Sequence, residues 1–331
     1  GIRDAQESRG LGDVYKRQVN NTAVGDKALT ANTSADENTA VGHDALTANT
    51  TGTMNTSVGS LALDSNTTGN YNTAVGRSAL DGNTTASDNT AVGVSALREN
   101  TTGTANTGIG RAALQNNSAD NNTAIGMESL KLNTTGTQNV AMGAYAADAV
   151  TTGSYLTAIG YAALGANTTG EDNVAVGRAA LDANTTASNN TAVGSGSLGA
   201  NTTGASNTAV GSAALDSNTT ASNNTAIGVN ALGANTTGAD NTAIGKDALL
   251  VNTTGEENVA IGKQALDANT DGGRNIAVGK YSLSENTTGI GNVAVGDQAS
   301  YTNTTGSNSV AIGRRALYLN TGSENVAVGA Y

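Results

Sequence analysis

A single glycine-containing motif recurs every 17 residues through almost the whole of this chain. Its clearest copy reads NTAVGDKALTANTSADE over residues 21–37. The motif glycine falls at 25, 42, 59, 76, 93 and 110, resumes at 126, keeps the same step to 313 and closes at 329. A fixed short period indicates that each repeat is one structural unit stacked on the next. The sequence therefore predicts one elongated array, and such arrays act through an extended surface rather than a pocket.

Each repeat contains one segment that favours extended backbone. We number positions from the motif glycine, so that the threonine, alanine and valine before it occupy positions −3, −2 and −1. Thr and Val favour strands, and their side chains point to one face while the alanine and the glycine point to the other. The glycine is expected to end the strand, and the Asn-Thr-Thr-Gly that follows is typical of a turn. The intervening GxxALxxN segment is compatible with a second short strand or with one helical turn.

These elements predict an all-β protein, a parallel β-solenoid or β-roll of about eighteen coils. Residues 19–331 form one repeat domain in this interpretation. Position −1 is always Val, Ile or Met, position −2 is nearly always Ala, and position +4 is Leu in most copies, so all three are predicted to lie in the interior. Because each repeat offers few apolar residues, backbone ladders between coils and packing against other chains are expected to contribute to stability. The interior candidates are Val24, Leu29, Val41, Leu46, Val75, Leu80, Val176, Leu181, Ile244 and Leu249.

Asparagine is the other residue that recurs at fixed places, at position −4 and again at position +7. Stacked at the spacing of one coil, each set is predicted to form a ladder of side-chain amides. The residues after the glycine, after the leucine and after the NTTG turn vary from copy to copy, as solvent-facing positions do. The two asparagine sets are represented by Asn21, Asn38 and Asn207, and by Asn32, Asn49 and Asn235.

The repeat around the glycine at position 143 departs from the pattern in three places together. Ala147 replaces the leucine, Val150 the asparagine at +7, and Leu156 the asparagine at −4 of the next repeat. Because apolar residues are gained where one is lost, we expect these positions to be close in one interior.

Three tyrosines surround this irregular repeat, namely Tyr145, Tyr155 and Tyr161. An interruption in an array can create a special surface, so these residues are a candidate binding surface. The alternative is a tolerated drift of the repeat.

Composition argues against several classes of function. The net charge of −11 makes nucleic acid an unexpected partner, because phosphate binding needs clustered Lys and Arg. The chain has no Cys and a single histidine, His43, so no nucleophilic triad or thiolate metal site can be built from it. Aspartates recur after the leucine, as at Asp81 and Asp182, and a solvated acidic stripe is favoured over a calcium site. No enzyme, cofactor or metal is predicted. No apolar run is long enough for a membrane helix, and no membrane contact by this segment is expected.

The first 18 residues do not share the period and are interpreted separately. The run at 13–18 reads DVYKRQ, and the codons GAT GTG TAT AAG AGA CAG would match a transposon end used in sequencing-library preparation. We interpret residues 1–18 as a translated adapter, with a disordered linker or capping segment as the alternative. We also expect the repeat domain to be truncated at its C-terminal end.

The strand motif, which reads NVAVG at 173–177 and NVAIG at 258–262, resembles the head repeats of YadA-like trimeric autotransporter adhesins. Related arrays in phage tail fibres are similar. The resemblance covers essentially residues 21–331 and implies a left-handed parallel β-roll in which three chains associate side by side. It also implies that the small alanine faces a neighbouring chain or coil. The period here is longer than the family's, and the additional residues are placed most simply in the NTTG loop.

Two functional hypotheses follow. The first is a structural and adhesive fibre, either a surface adhesin head or a phage tail fibre shaft. Such a fibre would be extracellular, on a bacterial surface or a virion, would form a homotrimer, and would bind a host-surface or matrix ligand through its exposed face. The alternative is an ice-binding β-solenoid that uses stacked threonine pairs, such as Thr67 and Thr68.

Overall fold

The computed structural model describes residues 20–330, so the interpretation of residues 1–18 concerns a segment outside the described part of the chain. The described residues contain nineteen strands of three residues each. The strands are β1 (Thr22–Val24), β2 (Thr39–Val41), β3 (Thr56–Val58), β4 (Thr73–Val75), β5 (Thr90–Val92), β6 (Thr107–Ile109), β7 (Thr123–Ile125), β8 (Val140–Met142), β9 (Thr157–Ile159), β10 (Val174–Val176), β11 (Thr191–Val193), β12 (Thr208–Val210), β13 (Thr225–Ile227), β14 (Thr242–Ile244), β15 (Val259–Ile261), β16 (Ile276–Val278), β17 (Val293–Val295), β18 (Val310–Ile312) and β19 (Val326–Val328).

Every strand pairs in parallel with the strand of the next repeat, and equivalent residues face each other. Thr22 pairs with Thr39, for example, and this register continues without a slip through the two shortened repeats to β19. The protein is therefore a parallel β-solenoid of about eighteen turns, as the sequence predicted. With neighbouring strands about 4.8 Å apart, the stack is roughly 85 Å long.

The GxxALxxN segment is neither a second strand nor a helical turn. It consists of two consecutive tight turns, in which Ala28 donates to the carbonyl of Gly25 at 3.5 Å and Asn32 to that of Leu29 at 3.4 Å. Residues at positions +2 and +4 have left-handed backbone, as Lys27 and Leu29 do with φ of 55°. This conformation costs an L-residue about 1–2 kcal/mol.

Hydrogen bonds between coils accompany this left-handed backbone. In one coil, Leu46 donates to the carbonyl of Ala62 in the next coil at 3.0 Å. In the same coil, Asp44 donates to the carbonyl of Asp26 in the preceding coil at 3.0 Å. The turns thus extend the backbone ladder beyond the three-residue strands, which explains how so thin a core can hold together.

The interior of the solenoid is built from small residues and, in most coils, one leucine. Ala40, Ala45 and Leu46, at positions −2, +3 and +4, are completely buried, and equivalent residues join into one continuous apolar cluster. The leucines that the sequence assigned to the interior all lie there: Leu29, Leu46, Leu80, Leu181 and Leu249.

The prediction that position −1 lies in the interior is wrong for this chain. Val24 is 58% exposed and Val75 36% exposed, while Val41, Val176 and Ile244 are half-buried. The alternation of the strand is as expected, but the alanine at −2 is the residue that points inward. There is room only for a small side chain, because a Cβ on Gly108, at the same position, would lie 3.3 Å from Cγ of Leu97. The larger β-branched residues are therefore placed on the outer face.

Candidate functional site

The asparagines at position −4 join neighbouring coils through the backbone. Oδ1 of Asn38 accepts a hydrogen bond from the backbone N–H of Asn55, one coil later, at 2.9 Å. Asn207 repeats the arrangement with Asn224 at 3.0 Å. In some coils a side-chain bond is added, as from Asn55 Nδ2 to Asn38 Oδ1 at 3.2 Å. The row at −4 is thus mainly a side-chain-to-backbone ladder.

The asparagines at position +7 form a ladder of side chains only. Asn235 Nδ2 donates to Asn218 Oδ1 at 3.0 Å, and Asn252 Nδ2 donates to Asn235 Oδ1 at 2.9 Å. Seven such bonds follow one another without interruption from Asn167 to Asn286. In this run buried amides are tolerated because each one meets a partner in a neighbouring coil.

Both asparagine rows converge on one carbonyl in each coil that carries both asparagines. Asn38 and Asn49 each donate Nδ2 to the carbonyl of Gly52 at 2.9 Å, and Asn21 and Asn32 do the same to Ala35 at 2.8 and 3.1 Å. This shared acceptor ties the NTTG turn to the strand end of the same coil. The Asn-Thr-Thr triplets match a glycosylation acceptor pattern, but their asparagines, from Asn49 to Asn303, lie buried in this network.

Two further sets of side chains also join the coils, a role that the sequence did not predict for either of them. At position +11, Asn70 Oδ1 accepts from the backbone of Thr53 at 2.7 Å, and Ser87 Oγ accepts from the backbone of Asn70 at 3.0 Å. At position +8, Thr50 Oγ1 donates to the carbonyl of Thr67 at 3.0 Å. The residue at position +11 varies, yet it is often Ser, Thr, Asn or Asp. That enrichment is the sequence feature from which these hydrogen bonds between coils could have been predicted.

The irregular repeat replaces part of the amide network with apolar packing. Ala147, Val150 and Leu156 are all buried members of the continuous apolar cluster. Val150 offers no amide to the preceding coil, and Oδ1 of Asn133 there is left without a partner. The carbonyl of Gly153 keeps a single side-chain amide donor, Asn139, at 2.9 Å.

The three tyrosines near this repeat do not form one surface. Tyr145 and Tyr161 meet edge to face with ring centroids 6.0 Å apart. Tyr155 is at position −5, on a different row, and is 55% exposed without a ring contact to either of them. The structure therefore brings together two of the three candidates.

The outer face of the sheet carries two parallel rows of β-branched side chains. Position −3 holds Thr, Val or Ile, and position −1 holds Val, Ile or Met, with no charged residue in any repeat. Val210, Ile227 and Ile261 are among the exposed members of the −1 row. Because the strands are in register, the side chains at −1 form an uninterrupted apolar row along the stack, beside a −3 row that is threonine in twelve of the nineteen strands. We call these two rows together the outer stripe.

Charged side chains lie on the turn segments instead. Partial burial raises the pKa of Asp81 and Asp148 at position +5, and nearby carboxylates raise it further. His43 lies on the surface with Nδ1 2.9 Å from Asp44 Oδ2 and Nε2 3.7 Å from Asp26 Oδ2. Within residues 20–330, no group of three or more His, Asp or Glu side chains is placed to hold a metal ion.

A shallow concavity of about 260 Å³ lies on the turn side, where Gly233 and Ala234 face Asp216 and Asn230.

The described residues include no helix with the length and hydropathy needed to cross a bilayer. Comparison with protein-family models and with curated proteins finds no match for this chain.

Proposed function

We propose that this chain is a segment of a structural and adhesive fibre, either a surface adhesin head or a phage tail fibre shaft. It would act outside the cell, on a bacterial surface or a virion, and would carry no catalytic site or cofactor. The observation that supports this proposal most directly is the outer stripe, whose −1 row is a continuous line of apolar side chains along the β-solenoid. The motif's resemblance to YadA-like head repeats supports the same assignment.

The outer stripe favours association with further copies of the same chain. Exposed apolar patches above a few hundred Å² are rare on monomeric proteins and mark interaction surfaces. A repeat present in every coil would match the same repeat in another copy along the whole length of the stack. We therefore propose a homotrimer in which the outer stripes of three chains face one another, leaving the turn segments exposed to a host-surface or matrix ligand.

Sedimentation velocity and small-angle X-ray scattering on the purified protein test this proposal. We expect a mass of three chains and an elongated particle. Replacing Val210 and Ile227 together by Glu introduces charges into the outer stripe and should give monomers that keep their β circular dichroism. Ser195→Glu, at an exposed position on the turn side, is the matched control and should stay trimeric. A monomeric or round wild-type particle would contradict the proposal.

Ice binding remains the second candidate, because the second threonine of each pair, such as Thr68 or Thr237, forms an exposed row. The first threonine is less available, since Thr67 Oγ1 and Thr236 Oγ1 already donate to the next coil at 3.0 Å. Thermal hysteresis of the purified protein separates the candidates. Strong activity that is lost in Thr220→Lys and Thr237→Lys variants would favour ice binding over the fibre.

A further inference from the structure

Lysines at position +1 are stacked in three successive coils. Lys246, Lys263 and Lys280 occupy equivalent places one coil apart in a chain whose net charge is −11. Like charges in neighbouring register positions are destabilising. Lys246 is 3.6 Å from Asp247, but within residues 20–330 no carboxylate lies within 4 Å of Lys263 or Lys280. An unfavourable arrangement of exposed cations points to an anionic partner.

An aromatic cluster continues the same surface into the following coils. Tyr281 meets Tyr301 edge to face with centroids 6.4 Å apart, and Tyr301 stacks on Tyr318 at 5.4 Å with an interplanar angle of 17°. Lys280 Nζ lies 4.8 Å and Lys263 Nζ 5.9 Å from the Tyr281 ring centroid. These contacts hold the flexible lysine side chains beside the rings while their ammonium groups stay exposed.

The far end of the cluster is also cationic. The Arg315 guanidinium carbon lies 5.3 Å from the Tyr318 centroid, and its Nε donates to Gln298 Oε1 at 2.8 Å. Within residues 20–330 no carboxylate lies within 4 Å of Arg315 either. The result is one connected surface of three cations and three tyrosines, which we call the basic–aromatic patch: Lys263, Lys280, Tyr281, Tyr301, Arg315 and Tyr318.

We propose that the basic–aromatic patch binds an acidic polysaccharide, a chain of sugars that carries carboxylate or sulfate groups. The ammonium and guanidinium groups would pair with the acidic groups, and the tyrosine hydroxyls would exchange hydrogen bonds with sugar hydroxyls. Because the tyrosine faces are used in stacking along the solenoid, the rings offer their edges and hydroxyls. This inference rests on the proposed function, in which the turn segments of the fibre contact the ligand.

Nucleic acid is the less favoured polyanion. It carries one phosphate per nucleotide, and the proteins that bind it supply dense positive charge. Here carboxylates lie nearby in the same coils, at Asp267, Glu285 and Asp297, and the whole chain is acidic. A polymer with sparser charge and many hydroxyls fits this mixed surface better.

Surface plasmon resonance at physiological ionic strength tests the proposal with four probes: heparin, polygalacturonate, neutral dextran and single-stranded DNA. We expect the full chain to bind heparin or polygalacturonate and not dextran. The variant Lys263→Ser with Lys280→Ser should weaken that binding about tenfold, a difference of about 1.4 kcal/mol. Tyr301→Ser with Tyr318→Ser should also weaken it. Serine occurs naturally at both positions, as at Ser195 and Ser284, so the fold should tolerate these changes.

Two control variants carry the same substitutions away from the patch. Arg77→Ser with Arg178→Ser removes two charges from position +1 elsewhere, and Tyr71→Ser removes an exposed tyrosine from a distant coil. Both control variants should bind heparin and polygalacturonate within about twofold of the wild type. Equal losses in patch and control variants, no binding to either acidic polysaccharide, or tighter binding to DNA would each overturn the proposal.

Sedimentation and scattering of the same samples separate this inference from the proposed function. An elongated trimer that binds neither acidic polysaccharide would overturn the ligand assignment and leave the fibre proposal standing. A compact monomer would contradict the fibre proposal itself.

Discussion

A Cβ atom added to Gly228 would lie 2.5 Å from the carbonyl oxygen of Gly245 in the next coil. The φ of Gly228 is +137°, a value that L-residues rarely adopt. The same two constraints recur at the other motif glycines from 25 to 313, so the stack of motif glycines is a place where adjacent backbones touch. This explains why no other residue type occurs there in any repeat.

Replacing Gly228 by Ala should lower the free energy of unfolding by about 3 kcal/mol or more, because backbone strain and overpacking act together. The matched control is Gly238→Ala in the same coil. A Cβ there would also meet a carbonyl of the next coil, but φ is not positive, and Ala86, Ala187 and Ala221 occupy equivalent positions. Thermal and denaturant unfolding measure the stability of both variants. Equal effects of the two substitutions would refute this account of the motif glycine.

The amide ladder makes a second prediction. Asn235→Ala removes one bond to Asn218, one to Gly238 and the bond received from Asn252. The side-chain amides of Asn218 and Asn252 each lose a partner, while the Gly238 carbonyl keeps Asn224 as a donor. At about 1–3 kcal/mol for each unsatisfied group, we expect a loss of about 2–4 kcal/mol.

Asn100→Ala is the control for the ladder, because Oδ1 of Asn100 already lacks a partner and its Nδ2 donates only to Gly103. It should cost clearly less than Asn235→Ala in the same denaturant titration. If the two variants were equally stable, the continuity of the ladder would have no energetic importance.

Left-handed backbone at position −5 makes a third prediction. Tyr71 is 56% exposed and has φ of 58°, whereas Asn189 and Asn223 occupy the same position in other coils. Asparagine tolerates this conformation better than tyrosine, so Tyr71→Asn should raise the stability by about 0.5–1 kcal/mol. Val94→Asn, at an exposed position without positive φ, should give no such gain. The melting temperature reports both, and a loss of stability in Tyr71→Asn would contradict the prediction.

The row of aspartates at position +5 makes stability depend on pH. Burial raises the pKa of Asp64, Asp81, Asp148 and Asp267 above 3.8, the value expected for an isolated side chain. A carboxyl whose pKa is higher in the folded state binds its proton more tightly there. Its contribution is therefore fully present below the unfolded pKa and is lost as pH rises through the folded pKa. Stability should increase as pH falls from 7 towards about 4.

One carboxyl acts in the opposite sense. A hydrogen bond from Lys131, with further help from Arg111, lowers the pKa of Glu128, whose contribution is lost on acidification. Since four aspartates oppose it, the net change should follow the aspartates. Melting temperatures at pH 7 and pH 4 measure the effect. The double variant Asp81→Asn with Asp267→Asn should reduce the difference, and an unchanged difference would assign it to other groups.

Much of the architecture could be predicted from the sequence, because an exact repeat leaves few alternatives. The 17-residue step, the Thr-Ala-Val strand and the recurring leucine imply parallel coils stacked in register, with Leu46 and its equivalents inside. The irregular repeat supports the same interpretation, since Ala147, Val150 and Leu156 change together and all lie in the core. Periodicity alone carries this information, because a residue that recurs at one coil spacing must stack on its own equivalents.

Only the tertiary structure decided which face of each strand points inward. Alternation separates Val75 from Ala74 but does not say which of them meets the leucine, and the narrow space between the sides of the coil admits only the alanine. The left-handed backbone at positions +2, +4 and −5 could not be predicted from the sequence either, because Leu, Lys and Tyr have no intrinsic preference for that conformation. They adopt it where their backbone groups bond to neighbouring coils, and those neighbours exist only in the folded stack.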